Sequence, residues 1–347
     1  MRVLAFLLIS VFLLMFGYNA VEAAYPLHAY NQATKILSIL YLVLTLSSTF
    51  AGFLASIKPP GTLIIFGPVG YFIFTFSLLL NNFLLSLISS IIIGFSSAIY
   101  WVCCRTIVYR EVEEHRWGFA FGLISVAAVL AGGLGPFILL KISYESLLKI
   151  SSGLCLLSIL PLLPLHGAGR TKKETLALSS IKNCLNRKLI LYAFAAFCFS
   201  VNLPIVIAYI PTIGKDVVGE YRLLSYAIPS TFSLLGGNLY DKFGAIIIPI
   251  SALLALIAFL NLPNNIIVWG FILTASFSVL LPGFQAFLGR IVNKDRIPIA
   301  LGFIGLISGS GVSLNIAIIG VLLGLARLYL ASLMILGIVL SVYLITK

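Results

Sequence analysis

The chain has 347 residues, of which 61% are apolar and 9% charged, and its mean hydropathy is +1.14. Water-soluble folds are excluded, because their surfaces need far more charge than this. The net charge of +12 does not point to nucleic acid: that reading needs a solvated basic face, and the basic residues here lie in short loops between apolar runs.

A charge at the centre of a bilayer costs roughly 2.5–3.5 kcal/mol, so charged residues collect where the chain leaves the lipid. About 20 apolar residues are needed per helical span. On that basis the sequence predicts an all-α integral membrane protein with twelve transmembrane helices. The first six fall near 3–24, 34–57, 62–80, 82–108, 117–142 and 146–165. The other six fall near 189–213, 223–240, 244–262, 266–288, 297–325 and 328–345. The runs lack the period-2 alternation of a strand barrel. Arg2 and the run Val21-Glu22-Ala23-Ala24 are compatible with a cleaved signal peptide, but Val3 to Val21 is long enough to span and completes the even count.

With both termini in the cytoplasm, the outer side keeps only Lys35, Lys141, Lys149, Lys215, Arg222 and Arg327 of the 22 Lys and Arg. The positive-inside rule therefore favours that orientation in a cell membrane. The long hydrophilic stretch from His166 to Lys188 reads as a cytoplasmic linker. It separates a six-helix bundle over 1–165 from a second over 189–347, two pseudo-repeats related by an axis along the membrane normal. Three short matches recur at a near-constant spacing. Phe16-Gly17-Tyr18-Asn19 pairs with Phe199-Ser200-Val201-Asn202, Gly52-Phe53-Leu54-Ala55 with Gly237-Asn238-Leu239-Tyr240, and Arg116–Gly122 with Arg296–Gly302.

The turn after the eighth span carries the most specific motif, Gly236-Gly237-Asn238-Leu239-Tyr240-Asp241-Lys242-Phe243-Gly244. Gly237 lets two helices approach closely, Asp241 can accept hydrogen bonds from a neighbouring helix N-terminus, and Gly244 permits a tight turn. The segment resembles the signature loop of the major facilitator superfamily, G-x-L-x-D-[RK]-x-G, and the resemblance implies a transporter with a gating loop at Gly237, Leu239, Asp241, Lys242 and Gly244. The first-half copy keeps Gly52 and Lys58 but has Ser56 where the family has its acid. In the fifth span, Ala131-Gly132-Gly133-Leu134-Gly135-Pro136 is similar to the segment that the family's antiporters and exporters use there. Gly132, Gly135 and Pro136 thus form a candidate hinge, with glycine-mediated helix packing as an equal alternative. In the fourth span Ser90 takes the position of the family's buried arginine.

None of the ten Asp and Glu is expected in mid-membrane, and Glu22 at the outer end of the first span is the nearest candidate for a proton carrier. The family places its substrate near the midplane between the halves. The polar residues expected there are Tyr18, Asn19, Asn202, Tyr209, Gln285 and Asn315, each amide being costly against lipid. Interhelical hydrogen bonding is the competing role for each asparagine. With no Arg or Lys expected in the cavity, the solute is read as small and neutral or amphipathic, moved by alternating access with export favoured. The five cysteines show no CxxC spacing and read as packing residues, so no metal or cofactor is expected. No set of catalytic groups converges, which argues against an enzyme. Partners are then the bilayer and a solute, with the chain as a monomer and no nucleic acid. The competing function is a transporter-derived receptor or assembly factor that moves nothing.

Overall fold

The computed structural model describes residues 2–169, 186–200, 222–261, 264–319 and 323–346, with the side chains of 225, 266, 267 and 311–329 outside the description. Every regular element among the described residues is helical. In lipid the backbone must satisfy its own polar groups, and a helix does so within one segment.

The first part of the chain contains α1 (Arg2–His28), α2 (Tyr30–Ile57), the short α3 (Pro60–Leu63), α4 (Phe66–Leu79), α5 (Phe83–Glu111), α6 (Trp117–Leu139) and α7 (Tyr144–Leu157). After 186 come α8 (Arg187–Ser200), α9 (Phe232–Phe243), α10 (Ile247–Asn261), α11 (Ile266–Ile291), α12 (Ile297–Ile319) and α13 (Leu323–Thr346). A π-helical turn, Arg222–Ala227, and a 3-10 turn, Ile228–Thr231, lead into α9. The ends are set by ordinary local chemistry. Pro59 and Pro60 open α3 at positions where a missing N–H is harmless. Asn82 caps α5 by accepting from the Leu85 N–H at 3.1 Å, and Ser143 caps α7 from the Ser146 N–H at 3.3 Å.

Against twelve expected spans, eight segments among the described residues are long and apolar enough to cross a bilayer. One of them, Arg222–Asn261, counts once although Gly244 (φ 72°) divides it into α9 and α10. The spans expected at 189–213, 297–325 and 328–345 fall partly outside the described residues or side chains. Boundaries also move. The span expected at 3–24 runs on to His28, one turn further. The span expected at 62–80 is interrupted between α3 and α4, and the one expected at 146–165 ends in a 3-10 turn, Leu160–Leu165.

Large apolar side chains cover the outside, as a bilayer solvent requires. On α2, Leu42, Leu46, Phe50, Phe53 and Ile57 are exposed at helical spacing. Its opposite face buries Ala33, Ile36, Leu40, Ser48, Ala51, Gly52 and Ala55. Helix α1 packs on α6 and α7, α2 on α5, and α4 on both α5 and α7. Helix α8 packs on α12 and α13, α9 on α11, and α10 on both α11 and α13. Between these two sets the main contacts are α2 with α12 and α6 with α9, joined by α6 with α11.

Candidate functional site

Two crossings join the sets on the side where the linker begins. At the first, a Cβ on Gly237 would overlap the Gly118 carbonyl, and one on Gly122 would lie 2.6 Å from the Ser233 carbonyl. At the second, a Cβ on Gly52 would lie 2.5 Å from the Pro298 carbonyl, and one on Gly302 2.7 Å from the Ser48 carbonyl. Only glycine allows backbones to approach this closely. The two crossings use corresponding residues of the sequence matches, so the alignment of Gly52 with Gly237 and of Gly122 with Gly302 is a spatial one.

The first crossing carries a charge that the second lacks. The Asp241 carboxylate accepts from the Gly118 N–H at 3.0 Å and the Phe119 N–H at 2.8 Å, capping the N-terminus of α6. Ser56, at the matching place, donates instead to its own helix, to the Phe53 carbonyl at 2.6 Å. Gly244 takes the left-handed backbone after α9, Leu239 is half-buried, and Lys242 and Lys58 are exposed. Nearby, Trp117 donates to the Val112 carbonyl at 3.1 Å, and Lys294 pairs with Glu114 at 3.0 Å across the gap between the sets. Tyr109 donates to the backbone carbonyl of Gln285, which fixes Gln285 near the linker-side ends of α5 and α11. Gly169, at the start of the expected linker, is held in place: Arg110 donates to its carbonyl, and Glu111 accepts from its N–H at 2.7 Å.

The second cluster lies toward the opposite end, where α1, α2, α4 and α6 meet the Arg222–Ala227 turn. Glu22 is 9% exposed, and its carboxylate accepts from the Tyr41 hydroxyl. Tyr18, one turn earlier on α1, meets the Tyr71 ring edge-on at 4.7 Å, and the Tyr71 hydroxyl bonds Ser97 at 2.8 Å. Arg222 is 5% exposed, lies over the Tyr226 ring at 5.7 Å, and has a buried Nη1 without a hydrogen-bond partner. Gly132 on α6 lies against both Asn19, three residues before Glu22 on α1, and Tyr226, four residues after Arg222, so the two parts of the cluster adjoin. The α6 glycines build its floor. A Cβ on Gly132 would lie 3.3 Å from both Asn19 and Tyr226, and one on Gly133 would lie 2.5 Å from the Arg222 carbonyl. Gly135 sits against the Phe16 carbonyl, and Pro136 lies within the helix.

Arg222, expected on the outer side, and Glu22, expected at the outer end of the first span, are both buried among protein side chains. The π turn beginning at Arg222 and the missing side chain of Gly133 are what let the arginine nest. A local signal exists in the sequence: Tyr226 follows Arg222 by four residues and Glu22 follows Tyr18 by four, each on one helix face.

Of the expected solute residues, Tyr18 and Asn19 fall in this cluster. Asn19 donates to its own helix, to the Met15 carbonyl at 2.9 Å, so its amide protons are engaged. Gln285 lies at the linker side instead, away from the cluster. Asn202 and Tyr209 are outside the described residues, as is the side chain of Asn315. Ser90 is fully buried and donates to the Leu87 carbonyl at 2.7 Å, a bond within its own helix. Among the described residues no group of three or more His, Cys, Asp or Glu converges as metal ligands would.

A family model described as Major Facilitator Superfamily matches residues 7–263. The fold is similar to that of the human organic anion transporter TETRAN, with a TM-score of 0.75 and 13% identity over 98% of this chain and 99% of the other. It is similar to a bacterial homologue of the iron transporter ferroportin in an outward-facing state, with a TM-score of 0.76 and 13% identity over 100% of both chains. The E. coli fucose:proton symporter follows with a TM-score of 0.73 and 16% identity over 98% of both. No curated protein matches the chain by sequence.

Proposed function

The chain belongs to the Major Facilitator Superfamily and is a multi-pass secondary transporter, and on that premise we propose that it moves a small solute of no net charge by alternating access. The observation that carries the proposal is the burial of one acid and one base, Glu22 and Arg222, in a tyrosine-lined cluster between the two helix sets. Buried charges in a membrane protein belong to pathways and binding sites far more often than to packing. The cluster's formal charge is zero, which supports a solute without net charge over a strong anion or cation.

In this reading the chain has twelve spans in two six-helix halves, 1–165 and 189–347, joined by a linker over 166–188. Three features support it: the corresponding glycine crossings, the parallel packing of α1 to α7 and α8 to α13, and the separation of α9 from α10 at Gly244. Basic loop residues favour cytoplasmic termini in a cell membrane. The gating elements are Gly237, Asp241 and Gly244 on one side and Gly52 on the other. Gly132, Gly135 and Pro136 serve as the bend point of α6, and their likeness to the exporters' segment supports an outward direction. The similar solved structures differ among themselves in cargo, so the solute class rests on this chain's own residues.

Purified protein in liposomes, challenged with anionic, cationic, zwitterionic and uncharged metabolites with and without a proton gradient, tests the proposal. Saturable flux of solutes without net charge is the expected result. An anion transported best by the wild-type chain would sink the solute class, and no flux of any solute would sink transport itself.

A further inference from the structure

Arg222 is almost wholly removed from water, yet its Nη1 has no hydrogen-bond partner. A guanidinium nitrogen left so is costly, since burial strips its hydration and no acceptor replaces it. Glu22 is buried in the same cluster, and the simplest remedy would be a direct ion pair. No ion pair joins Glu22 to Arg222. The fold holds the two apart. Tyr41 from α2 engages the Glu22 carboxylate, while Tyr226 lies beneath the Arg222 guanidinium. The Gly133 approach packs the Arg222 backbone against α6.

We propose that this separated pair is the solute site and that it takes a small zwitterion, with its ammonium on Glu22 and its anionic group on Arg222 Nη1. The inference rests on the solute class proposed above and narrows it. The argument is one of charge complementarity in a medium of low dielectric. An anion would satisfy Arg222 and leave the Glu22 charge uncompensated, a cation would do the reverse, and an uncharged solute would satisfy neither. A ligand carrying both charges neutralises both residues at once. Tyr18, Tyr41 and Tyr226 supply apolar walls with polar tips for the body between the two charges. The site's two ends also come from different helix sets, Glu22 from α1 and Arg222 from the turn before α9, so a zwitterion would bridge them. Arg222 opens a π-helical turn, and such irregular turns recur at functional sites.

The test uses the full chain in lipid nanodiscs and equilibrium binding by calorimetry. Two zwitterions of different charge separation, leucine and 6-aminohexanoate, are each compared with the cationic amide and the anionic N-acetyl derivative of the same scaffold. At least one zwitterion is expected to bind about tenfold more tightly than both of its derivatives. Glu22→Gln should reverse that order in favour of the N-acetyl form, and Arg222→Gln in favour of the amide, while Arg222→Lys keeps the zwitterion first. Equal binding of all three forms, failure of both zwitterions to bind, or variants that keep the wild-type order would overturn the site. If the variants fail to fold, the wild-type ranking alone decides. Binding without liposome flux would leave the site standing and remove the transport reading, whereas flux of an uncharged solute indifferent to Glu22 and Arg222 would do the opposite.

Discussion

Where Asp241 meets α6, the carboxylate completes two orphan N–H groups at a helix N-terminus, and a carboxylate there also lies favourably in the helix dipole. Removing it in Asp241→Ala should cost about 1–2 kcal/mol, read as a lower melting temperature of the purified protein. The other crossing explains why the first half can do without the acid. The residue facing Gly52 as Gly118 faces Gly237 is Pro298, which has no N–H to donate. Loss of the acid at Ser56 and loss of the donor at Pro298 are therefore matched. Ser56→Asp alone should stabilise less than Asp241 does, with only the Ile299 N–H left to meet it, and paired with Pro298→Gly it should recover a favourable coupling of about 1 kcal/mol in a double-mutant cycle. Additive effects of the two changes would refute the matched-loss account. The departure at Ser56 was legible in the sequence as a missing acid. Its meaning was not, because nothing in the sequence says which backbone stands opposite.

Helix α6 makes the same point one scale up. Its glycines mark it as a close-packing helix, and small residues at this density are readable without coordinates. Which helices they admit is not readable: α1 through Phe16, and the Arg222–Ala227 turn through Gly133. A Cβ at Gly135 would collide with backbone rather than with a side chain that could move. Gly135→Ala should then destabilise by about 1–3 kcal/mol, the usual penalty of overpacking. Gly153 on α7 is the control, since a Cβ there meets nothing within 4 Å. Gly153→Ala should stabilise by up to about 1 kcal/mol, because alanine gives up less chain entropy in a helix. Equal loss of thermal stability in both variants would mean that α6 is not clamped on this face. Element ends were the least legible part. Apolarity ends the first span near Ala24, while the helix continues through Pro26 to His28. A window that scores hydropathy discounts a charge at a span's edge, and for the same reason it sends Arg222 to a loop.

For the molecule as a whole, the pairing of helix sets sets the geometry of any transport cycle. The linker side is closed by two backbone crossings with glycine at their centre, and such contacts separate as rigid units because they contain few side chains to repack. The exposed Glu114–Lys294 pair spans the same gap at 3.0 Å. As a surface ion pair it adds little stability, roughly 0–1 kcal/mol, but it marks two turns that must part if the halves rock about the Glu22–Arg222 cluster. Glu114→Cys with Lys294→Cys, joined by a short bis-methanethiosulfonate that forms a mixed disulfide with each cysteine as methanesulfinate leaves, should therefore stop flux of whichever solute the liposome assay identifies, and reductive cleavage should restore it. Each single variant treated with the same reagent should transport normally. Cys103, Cys104, Cys155 and Cys198 are buried and should not compete for the reagent, while Cys184, outside the described residues, is best replaced by serine. The cross-link holds only the linker side, so binding at the cluster, which lies toward the other end, should survive in the locked protein. A fully cross-linked chain that still carried solute would show that the linker side need not open, and alternating access between these two helix sets would fall with it.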